Sequence, residues 1–203
     1  MKIAIIGHGN VGGALARNWA DKGNEIIIGA RNPEDARVLR LLEHRLIEAA
    51  TIAEAAQAAE VVLVATPAHA SVAIADQLGD LSGKVLIDAT NAVTKAPDPY
   101  PTAFHVFRDL TRAELAKCFN TTGFENMQNP RYGDTAADMF VAGDSARAKE
   151  TAQLLSKAAG FAECYDFGGE DRVQALEHLA YAWINLAIFQ GMGRDIAFKI
   201  LKR

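Results

Sequence analysis

The sequence predicts an α/β protein: a doubly wound parallel sheet with a small C-terminal α+β or helical region packed on it. Three observations carry this. Apolar, β-branched runs at residues 3–6, 61–65 and 85–87 suit strands buried on both faces. Helix-period stretches alternate with them, the pattern of parallel crossover units. The first strand runs straight into Gly7-His8-Gly9-Asn10-Val11-Gly12, a G-x-G-x-x-G between strand and helix. That turn makes the expected sheet a Rossmann-type one, with residues 1–135 as a nucleotide-binding domain and 136–203 as a small substrate or dimerisation region.

Each glycine of the turn has a physical reason. Gly7 permits the tight turn, Gly9 lets backbone approach a diphosphate, and Gly12 lets the helix pack on the strand. Val11, Leu15 and Trp19 recur at helical spacing, and Gly23 is the stop. The helix N-terminus offers free amides and the positive dipole end to a phosphate. The second strand, residues 25–29, ends in Gly29-Ala30-Arg31-Asn32-Pro33. An NAD site places an acid at this tip for the ribose 2′-hydroxyl; here Arg31 can fork onto a 2′-phosphate and Asn32 can add a hydrogen bond. The pattern therefore favours NADP over NAD. Glu34 and Asp35 follow Pro33 and suit the start of a helix.

Further along, residues 34–48 read as helix, with Val38, Leu41, Leu42 and Leu46 on one face. Thr51-Ile52-Ala53-Glu54 is a capping box. The strand at 61–65, closing on Ala65, ends in Thr66-Pro67-Ala68-His69, and the next helix stops at Gly79. The strand at 84–87 ends in Asp88-Ala89-Thr90-Asn91. Residues 95–101 carry three prolines and must be loop. A helix at 104–114 leads to a strand at 115–119, which ends in Asn120-Thr121-Thr122-Gly123-Phe124. Strand 137–142, helix 146–158 and strand 161–167 follow. A long apolar helix, 173–189, and a short helix to Arg203 complete the reading.

In such sheets ligands bind beyond the carboxyl ends of the strands. Gly7, His8, Gly9, Asn10, Val11, Gly12, Arg31, Asn32, Ala65, Thr66, Pro67 and Asn91 are thus the expected cofactor residues. Asn120 and Thr121 are the expected substrate residues. No catalytic group is certain: His69 is the best titratable candidate and Asn120 a second. No Tyr-x-x-x-Lys occurs, which argues against the short-chain dehydrogenase arrangement.

The formal net charge of −4 gives no electrostatic support for a nucleic-acid or membrane-surface partner. The chain opens on a strand rather than a charged-then-apolar leader, which points to a cytoplasmic protein. Cys118 and Cys164 show no metal spacing and read as buried thiols. The helix at 173–189 is apolar nearly all round, so it needs cover on more than one side, and a homodimer would supply it.

The chain resembles the F420-dependent NADP oxidoreductase family over nearly its whole length. The marks are G-H-G-N-V-G-G-A-L-A, the I-G-A-R-N tip, V-A-T-P-A-H, A-G-D after the late strand, and the closing G-M-G followed by F-K-I-L. The resemblance implies a Rossmann domain that binds NADP, with the 7–12 turn on pyrophosphate, Arg31 on the 2′-phosphate, and Thr66 and Pro67 lining the cofactor. It also implies hydride exchange with a stacked deazaflavin, coenzyme F420. Two places depart from the family pattern: Asp88-Ala89-Thr90-Asn91 stands where proline and valine are usual, and Asn120 where a histidine is. Three functions follow as expectations: hydride transfer between NADPH and F420 or a flavin as small-molecule redox partner, NADPH-dependent reduction of a small carbonyl or imine, and a non-catalytic NADP sensor.

Overall fold

The computed structural model describes residues 1–93 and 95–203. One eight-stranded sheet runs through the chain, in the order β10-β9-β6-β5-β4-β1-β2-β3. Its central strands are β1 (Lys2–Ile6), β2 (Glu25–Gly29), β4 (Val61–Val64), β5 (Val85–Asp88) and β6 (Glu114–Cys118), all parallel. β3 (Ile47–Ala50) forms one edge, parallel to β2. β7 (Arg131–Tyr132) and β8 (Thr135–Ala136) form a separate short hairpin; β9 (Met139–Ala142) pairs antiparallel with β6, and β10 (Cys164–Asp166) runs parallel to β9 at the other edge. Residues 136–203 therefore extend the same sheet. The expected all-parallel order holds for the six strands from β1 to β6; β9 and β10 run the other way.

Alternating residues of the buried strands feed two cores. Ile3 and Ile5 meet α1 (Asn10–Asp21), α2 (Ala36–Leu41) and α7 (Ala146–Ala159) through Leu15, Trp19, Val38, Leu41, Ala152 and Leu155. Ala4 and Ile6 meet α3 (Ile52–Ala58), α4 (Ser71–Leu78), α5 (Ala103–Thr111) and α8 (Val173–Ile184) on the opposite face. Strands buried on both faces need this continuous apolar sequence, which is why they were legible. Trp19 is fully buried, and its Nε1 donates to Leu155 O at 3.0 Å, tying α1 to α7. The Thr51–Glu54 capping box forms as expected.

Three local expectations are corrected. The stretch 34–48 is not one helix. α2 stops at Leu41, because Ile47, Ala49 and Ala50 are taken by the ladder to β2. The 173–189 helix is α-helical only to Ile184 and continues as a π-turn over Asn185–Phe189. The closing segment is not helical: Gly191 and Gly193 take φ of +70° and +83°, and the residues beyond them form an irregular tail. That tail laces back onto the sheet. Asp138 N donates to Phe198 O, Ile200 N and Lys199 Nζ donate to the buried Asp138 carboxylate, and Trp183 Nε1 donates to Ile196 O at 2.8 Å. Among the described residues no helix is long and apolar enough to cross a membrane.

Candidate functional site

The strand order places the switch between β1 and β4: the chain winds outward through β2 and β3 on one side, and through β5 and β6 on the other. A dinucleotide lies across such a point, one half over β1 and β2, the other over β4 and β5.

The glycine turn has the shape this requires. Gly7 has φ +106°, and a Cβ there would lie 2.6 Å from Ala65 O, so only glycine permits β1 and β4 to end this close together. A Cβ on Gly12 would stand 1.8 Å from Gly7 O; its absence lets α1 rise directly from the turn. A Cβ on Gly9 would meet nothing within 4 Å. Gly9 caps α1 with no side-chain bond, and no acid stands in the helix's first turn. The turn is thus a backbone cradle with free amide hydrogens and an open approach, which fits a diphosphate.

The other side of this cradle is cationic. Arg31 is exposed just past β2, and Asn32 Oδ1 accepts from Glu34 N at 3.1 Å, which shapes the turn into α2. Asp35 caps α2 and accepts from Arg37 N at 2.8 Å. A cleft of about 360 Å³ between α1, α2 and α6 (Phe124–Gln128) is lined by His8, Arg17, Arg37 and Arg40. His8 lies half-buried there. Its Nε2 is 3.9 Å from Asp35 Oδ1, and its Nδ1 finds no partner among the described residues. Burial holds the imidazole below its ordinary pKa; Asp35 opposes this, and Arg37 and Arg31 add to it. Arg17, Arg37 and Arg40 were not singled out from sequence. A helical spacing of three between Arg37 and Arg40, beside the arginine tip, was the signal available.

On the β4–β6 side the polar tips do gather, with much of their bonding internal. Asn91 and Asn120 bond each other: Asn91 Nδ2 donates to Asn120 O at 3.0 Å, and Asn120 Nδ2 donates to Asn91 Oδ1 at 3.2 Å and to Leu176 O at 3.2 Å. Asn120 Oδ1, Thr66 Oγ1 and Thr90 Oγ1 remain buried without a partner among the described residues. Phe119, between β6 and Asn120, takes a left-handed φ of +64°, a backbone strain that accompanies specialised sites. Thr121 is buried with its hydroxyl on the Met139 sulfur at 3.7 Å, facing the core. His69 is exposed on a 3₁₀ turn and lines a separate cleft with Asp76, Leu110 and Arg112. The structure does not bring it to the glycine turn.

Sequence reasoning also missed a buried ion cluster. Lys117, fully buried in β6, lies between two buried carboxylates. Its Nζ donates to Asp88 Oδ2 at 2.9 Å and to Thr90 O at 2.9 Å, and stands 2.8 Å from Glu177 Oε1. Asp88 Oδ1 accepts from Thr90 N, and Glu177 Oε2 accepts from Ala92 N, both at 2.9 Å. Burial works to discharge the ammonium, but Asp88 and Glu177 outweigh it and hold its pKa above the ordinary value. Leaving any one of these charges alone would be strongly destabilising, by about 3–5 kcal/mol. The two cysteines are both buried; burial, with Cys164 adjoining, pushes the Cys118 thiol well up, so it stays protonated.

Comparison with known proteins decides the family. Residues 2–92 match the model of the NADP oxidoreductases described as coenzyme F420-dependent. The F420-dependent NADP reductase of Methanothermobacter marburgensis is 30% identical over 208 residues, covering 93% of either chain. The chain belongs to the F420-dependent NADP oxidoreductase family. It is accordingly an oxidoreductase. A crystal structure from Arthrobacter sp. FB24, carried under the provisional name of an F420-dependent NADP reductase, is 31% identical and superposes with a TM-score of 0.84 over the full length of both chains. The metalloreductase STEAP3 of Rattus norvegicus is 26% identical over 163 residues, only 32% of its own length. An imine reductase from Streptomyces aurantiacus shares the fold, at a TM-score of 0.67 and 17% identity.

Proposed function

We propose that this family member binds NADPH across the β1–β4 switch and passes its hydride to a flat, flavin-type acceptor such as the deazaflavin F420. The observation that carries the nucleotide half is the pairing of an open glycine cradle with a cationic corner. Gly9 has free space at its Cβ position, Arg31 stands exposed at the β2 tip, and Arg37 and His8 stand on the same side. An acid would select the 2′-hydroxyl there; a cationic set selects a 2′-phosphate. Residues 1–135 would then hold the nucleotide, while α8 and the tail within 136–203 brace the acceptor side.

The acceptor half rests on two supports. The relatives that match along nine-tenths of their length carry F420 in their names. The groups left unpaired beyond β4 to β6, Thr66 Oγ1, Thr90 Oγ1 and Asn120 Oδ1, are hydroxyls and an amide. These can hydrogen-bond ring heteroatoms and supply no titratable acid or base of their own. Ring-to-ring hydride transfer asks for little else: two stacked planes and excluded water, with the cofactors carrying the chemistry.

The test is anaerobic stopped-flow oxidation of bound NADPH, followed at 340 nm, with F420, FMN, a cyclic imine and a simple ketone offered in turn. F420 or FMN should react and the imine and ketone should not. Oxidation by the imine or ketone alone would replace this acceptor with a carbonyl-type one. Tight NADPH binding with no acceptor oxidising it would leave a sensor in place of an enzyme.

A further inference from the structure

We infer that Glu177, pinned by the Lys117–Asp88 pair, is a positioning residue that locks the loop beyond β5 to helix α8, and thereby orders the nicotinamide end of the cleft. The inference rests on the NADP reading above. Thr90 to Ala92 follow β5 directly, on the half of the switch that takes the nicotinamide. Three bonds hold them: Lys117 Nζ to Thr90 O, Thr90 N to Asp88 Oδ1, and Ala92 N to Glu177 Oε2. The last comes from α8, 85 residues further along the chain. Glu177 thus bridges: one carboxylate oxygen meets the ammonium and the other holds a backbone amide of the loop. Asn120 adds a parallel tie, from Asn91 to Leu176 O one residue before Glu177.

A core that needed only packing would use apolar residues here, since a buried ionic cluster is not a cheap source of stability. What it supplies is geometry: directional bonds from one buried centre to β5, β6 and α8 at once. The loop beside the nicotinamide cannot shift without dragging α8 with it.

The test uses two variants. Glu177→Met fills the space but removes the acceptor for Ala92 N, and leaves Lys117 and Asp88 as a balanced pair. Glu177→Gln restores an acceptor. Two probes are titrated by calorimetry: NADPH, and 2′-phospho-ADP-ribose, which lacks the nicotinamide. Glu177→Met should weaken NADPH about tenfold and leave the fragment unchanged, and Glu177→Gln should recover most of the loss. Hydrogen exchange on the wild type gives a check that needs no variant. NADPH, but not the fragment, should slow exchange in residues 85–93 and 173–184 together. Equal weakening of both ligands, or unchanged affinity for both, would overturn the assignment, as would independent protection of the two segments. If the wild type binds neither ligand, the nucleotide reading falls and takes this inference with it. If both bind and Glu177→Met leaves their ratio untouched, the inference fails alone.

Discussion

Arg31 is exposed at the end of β2, with no structural bond among the described residues to account for a guanidinium there. If it reads the 2′-phosphate, Arg31→Ala should raise the NADPH dissociation constant about 10- to 100-fold, equivalent to roughly 1.5–3 kcal/mol for a charge-assisted contact. NADH should bind as before; equal loss for both nucleotides would show that Arg31 does not touch that phosphate. His8, in the same corner, gives a pH signature. In the free protein burial keeps it below its ordinary value of 6.5, so it is neutral at pH 7. A phosphate dianion beside Arg31 and Arg37 favours the charged imidazole and raises that value, so His8 takes up a proton on NADPH binding as pH falls towards 6. The 2′-phosphate titrates in the same range and releases protons on binding as the dianion, so calorimetry in buffers of different ionisation enthalpy should show His8→Asn shifting the NADPH proton balance towards release, with NADH little changed. The same shift acts on folding with definite sign. The unfolded chain binds more protons at His8 than the folded one, so the free protein loses stability as pH drops below about 6.5.

At the scale of elements, the meeting of β1 and α1 depends on a missing methyl. In Gly12→Ala the new Cβ would start 1.8 Å from Gly7 O, so α1 must back away from the turn. Overpacking of this kind costs about 1–3 kcal/mol. The melting temperature should fall, and affinity should drop for NADPH and NADH alike, because the diphosphate cradle is common to both; unchanged NADH binding would show that the turn tolerates the shift. This unit was legible in the sequence because its signal is local: a glycine spacing, an apolar strand and a helical period lie within 30 residues. The β3 edge was not. Its four residues are strand only because β2 lies beside them, and Val38, Leu41, Leu42 and Leu46 mimic one helical face. Lys117 was hidden for a similar reason. Its partners lie 29 and 60 residues away, so nothing nearby announced a salt bridge. Even so, a lysine inside the run Leu115-Ala116-Lys117-Cys118-Phe119 had to find a partner, and that was a readable demand. The cofactor turn and the Arg31 tip were therefore visible, while the bracing of the acceptor side, built from non-local contacts, was not.

For the molecule as a whole, the question is what covers the end of α8. Residues 179–193 contain no charged side chain, yet the π-turn and its surroundings leave Tyr181 51%, Ile188 48%, Phe189 64% and Met192 60% exposed. Single exposed apolar residues are ordinary; a cluster on one uncharged stretch marks an association surface. A second copy of this chain is the occupant we propose. The patch is neutral, so two copies of a protein with net charge −4 can meet there without bringing like charges face to face. The π-turn that ends the helix carries Ile188 and Phe189, both exposed, within this patch. Light scattering coupled to size exclusion should therefore give twice the chain mass of 21.8 kDa. Phe189→Asp places a charge at the centre of that contact and should shift the protein to monomer. The β1–α1 cradle and NADPH affinity should be untouched, because Phe189 belongs to neither. A wild type that runs as a monomer at tens of micromolar would remove the dimer. A Phe189→Asp variant that stays dimeric would move the interface elsewhere on the surface.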